Sequence, residues 1–123
     1  FNPASSYFLS LGINYPNASD LILSDKNTPG SDIFIHGSDV TIGCVPLTDE
    51  FIKEVYLIAT MAKNFGQKKI QFHIFPFKME QLESYNNNPN YIFWQNIEPG
   101  YRIFEKNHIL PPITVGLDGK YKW

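Results

Sequence analysis

An internal disulfide is excluded at once, because the 123 residues contain a single cysteine, Cys44. That thiol must be buried, reactive or joined to another molecule. An excess of charge is lacking too: ten lysines and arginines stand against twelve aspartates and glutamates, a formal net charge of −2. Such a chain has no basic footprint for phosphates or an anionic bilayer, so nucleic acid is not an expected partner. No run approaches the roughly 20 consecutive apolar residues of a membrane-spanning helix, and Phe1-Asn2-Pro3-Ala4 has neither the charged segment nor the apolar core of a signal peptide. The chain lacks an initiating methionine and opens on a strand-like run, as expected of a piece of a longer precursor or of a mature secreted protein. His36, His73 and His108 show no short ligand spacing and no companion cysteine, so no zinc site is expected and no cofactor is implied.

What is present suits one domain with a real core. Hydrophobic residues make up 43% of the chain and charged residues 18%, while the aromatic share of 15% is high. There is no internal repeat. Tyr7 to Ile13 reads as a strand closed by the turn Asn14-Tyr15-Pro16-Asn17. Ser24 to Ser31 is loop chemistry, and Asp32-Ile33-Phe34-Ile35-His36 is a short apolar run that puts His36 at a strand end before Gly37. Gly43 and Pro46 break the following segment and place Cys44 on a tight loop.

Thr48 then offers an N-cap, with Asp49 and Glu50 favourably set against the helix dipole. Phe51, Val55, Ile58 and Ala62, widened by Ile52, Tyr56 and Ala59, predict a helix to about Asn64, capped by Gly66. The alternation of Ile70, Phe72 and Ile74 with Gln71, His73 and Phe75 predicts a strand ended by Pro76. A short helix over 79–85, two short helices after the break at 86–90, and a hairpin turning on Asp118-Gly119 with type I′ geometry complete the reading. The order of elements indicates an α+β domain.

Chemistry concentrates between His36 and Cys44, where an imidazole and the only thiol are separated by a short polar connection. A free thiol is mostly protonated at neutral pH, so a cysteine nucleophile needs a base or cation beside it. His36 can supply the base, Gly43 permits a sharp turn, and the amides around Cys44 can face a developing oxyanion. On spacing alone the pair is weak, since free cysteines are often buried and a strand-end histidine is usually just a polar residue.

Ile35-His36-Gly37-Ser38 followed by Ile42-Gly43-Cys44-Val45 resembles the active-site signature of the YkuD-type L,D-transpeptidase family. Thr48-Asp49-Glu50, His73-Ile74-Phe75-Pro76-Phe77, Phe93-Trp94-Gln95-Asn96, Gly100-Tyr101 and Phe104-Glu105 are similar to its YafK-like branch, so the resemblance runs from about Phe8 to the end. It implies a mixed β-sandwich or barrel-like sheet with a helix after the cysteine loop, and early strands lying upstream of Phe1. It further implies Cys44 as nucleophile, His36 as base, the Gly37 carbonyl as the group fixing the imidazole tautomer, and the Gly43 and Cys44 amides as oxyanion hole. Two positions depart from the wider family, Ile42 where many members carry a second histidine and Pro46 where an arginine or asparagine is common.

The implied reaction is acyl transfer on peptidoglycan stem peptides through a thioester, in the cell envelope, periplasmic or secreted. A second stem peptide as acceptor gives a cross-link, a protein lysine attaches a lipoprotein, and water gives hydrolysis. A hydrolase of the same family and a catalytically silent wall-binding module are the alternatives. Ser38, Asp39 and Thr41 are candidates for substrate contact or for orienting His36, although short polar loop residues usually bond their own backbone. His73 can approach the site from a neighbouring strand or simply face the helix. Trp94, Tyr91 and Phe93 more often fill a core than wall a cleft, and Lys78 reads as a solvated surface lysine.

Overall fold

The computed structural model describes residues 1–123. In chain order the elements are β1 (Asn2–Ser5), β2 (Phe8–Gly12), α1 (Asp20–Leu23), β3 (Phe34–His36), β4 (Val45–Pro46), α2 (Thr48–Asn64), a 3-10 helix (Met79–Tyr85), α3 (Tyr91–Asn107), β5 (Thr114–Val115) and β6 (Tyr121–Lys122). They fall into two compact units, the first Phe1–Asn17 with Asp25–Ile70 and the second Ala18–Ser24 with Gln71–Trp123. The class is α+β as the element order indicates, with an open four-stranded sheet and no closed barrel.

In the first unit the sheet order is β1-β2-β3-β4. β2 pairs antiparallel with β1 and with β3, setting Ser10 opposite His36 and Leu11 opposite Ile35. β4 then joins β3 in parallel, Ile35 opposite Val45 and His36 opposite Pro46. Proline is tolerated there because β4 is an edge strand. α2 packs on β2 and β3, with Ile52 (0% exposed) and Ala59 facing the sheet beside the buried Ile35.

That packing corrects the expected apolar stripe. Phe51 and Ile58 are 63% and 66% exposed, and the buried line runs through Ile52 and Ala59, which the periodicity treated only as its margin. α2 is apolar around more than half its circumference, so spacing shows that a face exists without selecting which one meets the sheet. The N-terminus is corrected as well: Leu47, not Thr48, occupies the N-cap position, and no side chain caps the helix. The amides of Leu47 and Thr48 instead donate to the carbonyls of His36 and Ser38, at 2.8 and 2.9 Å. At the other end the Gly66 amide donates to Lys63 O and the Gln67 amide to Ala62 O, with Gly66 at φ 96°. Those paired bonds are the Schellman closure that a glycine at this position favours.

The second unit is built on buried Met79, Leu82 and Ile97, with the buried Ser19 hydroxyl donating to Gly119 O at 2.6 Å. Phe77, Tyr85 and Trp94 pack together, Phe77 stacked on Tyr85 at 4.4 Å and edge-on to Trp94 at 5.1 Å. Residues 70–75 form no strand. Their alternation is real, since Phe72 and Ile74 are exposed while His73 and Phe75 are half-buried, but no neighbouring strand completes a ladder there.

Where two short helices were expected, α3 is one helix that carries Pro99 inside it. A proline in a helix removes one amide donor and displaces the carbonyls a turn earlier. Asn96, just ahead of it, is tied instead to the chain end. Its carbonyl accepts from Trp123 Nε1 at 2.8 Å, and its side chain makes two further bonds with the Tyr121 backbone. The closing hairpin is present, but its turn is not type I′, which needs two positive φ angles. Only Gly119 is left-handed (φ 79°), and its amide donates to Gly116 O, a three-residue loop with the bulge that glycine permits.

Gly100 has a specific reason to be glycine: a Cβ there would lie 2.1 Å from Trp123 Cζ3. Gly100→Ala is therefore expected to expel the indole and to lower stability by about 2 kcal/mol, visible as a lower thermal midpoint and red-shifted tryptophan emission. A variant with unchanged emission and midpoint would show that the ring does not seat on α3.

Candidate active site

His36 ends β3 inside the sheet and is 3% exposed. Its backbone is held from both sides, because the Gly37 amide donates to Leu9 O at 3.1 Å and the His36 carbonyl accepts from Leu47. The Tyr7 ring lies against the imidazole at 4.7 Å between centroids, tilted by 40°. Nδ1 sits 2.5 Å from the Gly37 carbonyl oxygen. A carbonyl can only accept, so Nδ1 carries a proton, and in the neutral ring it is Nε2 that keeps the lone pair. An imidazole in that state can take a proton.

Cys44 is half-buried on the loop leading into β4. It lines the same cavity as His36, a cleft of about 220 Å³ whose other walls are Asn2, Ser5, Ser6, Tyr7, Ser10 and Phe34. The parallel pairing of β3 with β4 sets Val45 opposite Ile35 and Pro46 opposite His36, so the loop from 37 to 44 leaves and re-enters the sheet beside the same strand.

Thr41 organises that loop. Its hydroxyl accepts from the Gly43 amide at 3.1 Å and donates to the Cys44 carbonyl at 3.0 Å. Gly43 adopts φ 153°, open to glycine and unfavourable for other residues. Thr41 thus serves its own backbone, and the Gly43 amide is already engaged. Ile42, where many members of the resembling family place a histidine, is fully exposed.

The turn after His36 is braced from α2. The Ser38 amide donates to Asp49 Oδ1 at 2.8 Å. Ser38 and Thr48 both adopt left-handed backbone, φ 66° and 58°, and are joined by the Thr48 amide and Ser38 carbonyl. Such conformations cost about 1–3 kcal/mol each, and they persist where the surroundings over-determine them, often at functional sites. Gly37 has no room for a side chain, since a Cβ would lie 2.6 Å from both Asp49 Oδ1 and the Tyr7 carbonyl oxygen. Asp39 is exposed on the loop surface. The contacts of Asp49 and Tyr7 were not visible in the sequence. The one hint was an acidic residue heading a helix right after the cysteine loop, which dipole reasoning alone accounted for.

His73 belongs to the second unit, where its ring packs near Phe75 and Trp123 at 6.4 and 6.1 Å. Its Nδ1 is buried without a hydrogen-bond partner, and burial pulls the imidazole below its ordinary value of 6.5. The folded state favours the neutral ring, so between the lowered folded value and 6.5 the unfolded chain binds more protons. The His73 contribution is therefore complete above pH 6.5 and declines as pH falls below it. Thermal midpoints taken between about pH 7.5 and pH 5.5 are expected to fall less steeply for His73→Phe than for the parent. Equal slopes would show that His73 charges as freely in the fold as outside it.

A buried imidazole with its Nδ1 proton fixed, and a thiol from the next loop on the same small cleft of an α+β domain, is an arrangement capable of nucleophilic acyl chemistry. No family model matches the chain. Two curated proteins, each named "Putative L,D-transpeptidase YafK", from Escherichia coli strain K12 and Escherichia coli O157:H7, are 34% identical to it over 123 residues, covering 97% of this chain and 48% of their own length. The chain spans about half the length of the curated relatives it matches. The similarity runs along nearly the whole of this chain and about half of each relative.

Proposed function

We propose that the chain carries out cysteine-dependent acyl transfer on peptidoglycan stem peptides, as an L,D-transpeptidase of the cell envelope. The observation that supports this most is the shared cleft of Cys44 and His36, with Nδ1 tied to the Gly37 carbonyl. In this reading Nε2 of His36 takes the thiol proton, and the thiolate attacks the carbonyl at the L-centre of a diamino acid. The tetrahedral adduct collapses to a thioester on Cys44 and expels the terminal D-alanine, whose amine receives the proton from His36. An amine of a second stem peptide then attacks the thioester and frees the thiol.

The Cys44 and Gly43 amides are the oxyanion donors in this scheme, and Gly43 must exchange Thr41 Oγ1 for the substrate oxygen to act as one. Ser38 and Asp39 are the candidates for substrate contact in this reading. Hydrolysis, with water in place of the second amine, is the competing outcome, and the half-exposed position of Cys44 favours it by leaving the thioester open to solvent. A protein lysine as acceptor or as the released group would make a wall-attached lipoprotein the partner.

Mass spectrometry of muropeptides incubated with the protein tests the reading. Cross-linked, trimmed and protein-released products differ in mass, and the Cys44→Ala variant is the blank. No product beyond that blank would remove the proposed activity from this chain.

A further inference from the structure

We infer that Asp49 is a positioning residue for His36, acting through the single peptide unit that joins Gly37 to Ser38. The inference rests on the reading of His36 as the base for Cys44. The two ends of that peptide are both occupied: its carbonyl oxygen accepts from His36 Nδ1 at 2.5 Å, and its amide donates to Asp49 Oδ1 at 2.8 Å. A carboxylate pulling on the amide makes the carbonyl of the same amide plane a stronger acceptor, because hydrogen bonds in a chain polarise one another. The Asp49 charge thus reaches the imidazole through one peptide bond, and it holds the plane at the angle that keeps the proton on Nδ1.

Three other features point the same way. Ser38 is left-handed, a conformation a serine does not favour, so the plane needs a tether to keep its orientation. Gly37 leaves no space between Asp49 Oδ1 and the Tyr7 carbonyl, so the carboxylate and the turn are fitted to one another. The carboxylate sits in the first turn of α2, and the amides of the N-cap Leu47 and of Thr48 donate to the His36 and Ser38 carbonyls, so the start of the helix is tied to the same turn. Asp49 itself is exposed, and water screens its charge. The expected effect is therefore at the lower end for a hydrogen bond to a charged group.

The test compares Asp49→Ala, Asp49→Ser and Asp49→Asn in the full chain by three measurements: the ¹⁵N spectrum of the His36 ring, the rate of Cys44 alkylation by iodoacetamide, and the thermal midpoint. Serine suits a helix N-terminus but is too short to keep the contact, so it covers the case in which the alanine variant fails to fold. Alanine and serine are expected to mix the two His36 tautomers and to slow alkylation roughly tenfold. Asparagine, which retains an acceptor oxygen without the charge, is expected to restore the tautomer signal and only part of the rate. A merely structural role would lower the midpoint and leave the tautomer of the folded fraction alone. A folded alanine or serine variant with parental ring shifts and an alkylation rate within about twofold of the parent would overturn the inference. If the parent thiol reacts no faster than free cysteine, the acyl-transfer reading fails, and the ring spectrum still decides the role of Asp49.

Discussion

Cys44→Ala is expected to eliminate every covalent adduct of the protein with a stem peptide or a carbapenem, and with it all turnover, while the fold stays intact. The thiol is the only sulfur nucleophile in the cleft, and nothing else lining it forms a thioester. Structural cost is small because Cys44 is half-buried on a loop whose conformation is held by Thr41 and Gly43 rather than by the sulfur. Removal of such a side chain costs on the order of 1 kcal/mol or less. Intact-mass measurement after incubation reads the result directly. An adduct that persists in the alanine variant would take Cys44 out of the chemistry.

His36→Ala is the second large effect. Removing a positioned general base slows acylation by about 10²–10⁴-fold, and here it also leaves the Gly37 carbonyl without its donor. The imidazole is buried against Tyr7 on the strand flanked by β2 and β4, so the variant enlarges the cleft that Cys44 lines. Added imidazole is expected to enter it and return part of the rate, which a purely structural lesion would not allow. The pH dependence of acylation is expected to change with the base removed. An alanine variant acylated at the parental rate with the parental pH profile would mean that another group takes the proton.

How far the sequence carries is clearest at α2. Its extent to Asn64 and its glycine closure follow from local signals: apolar residues at helical spacing, acidic residues at the start and Gly66 at the end. Those signals act within a few residues, and they hold whatever the helix packs against. The buried face did not follow, because Phe51, Val55 and Ile58 are as apolar as Ile52 and Ala59, and the choice lies with the sheet. Residues 70–75 show the same limit for strands. Alternation marks which side chains share a side, but a strand exists only when another supplies its hydrogen bonds. At Pro99 the local breaker signal was overridden by Trp123 and Tyr121, which bond Asn96 from about 25 residues away along the chain.

The candidate site divides along the same line. A single thiol, a histidine at the end of an apolar run, and glycines beside both are properties of the covalent chain, and the sequence by itself places that thiol and that imidazole within nine residues. Tertiary structure alone decided the rest: the parallel return of β4 beside β3 that puts both groups on one cleft, the Tyr7 ring against the imidazole, and the Asp49 carboxylate under the Gly37–Ser38 peptide. The physical reason is range. Backbone preference and side-chain chemistry are set by neighbours along the chain, whereas a hydrogen bond between a helix and a strand end depends on how the two have packed.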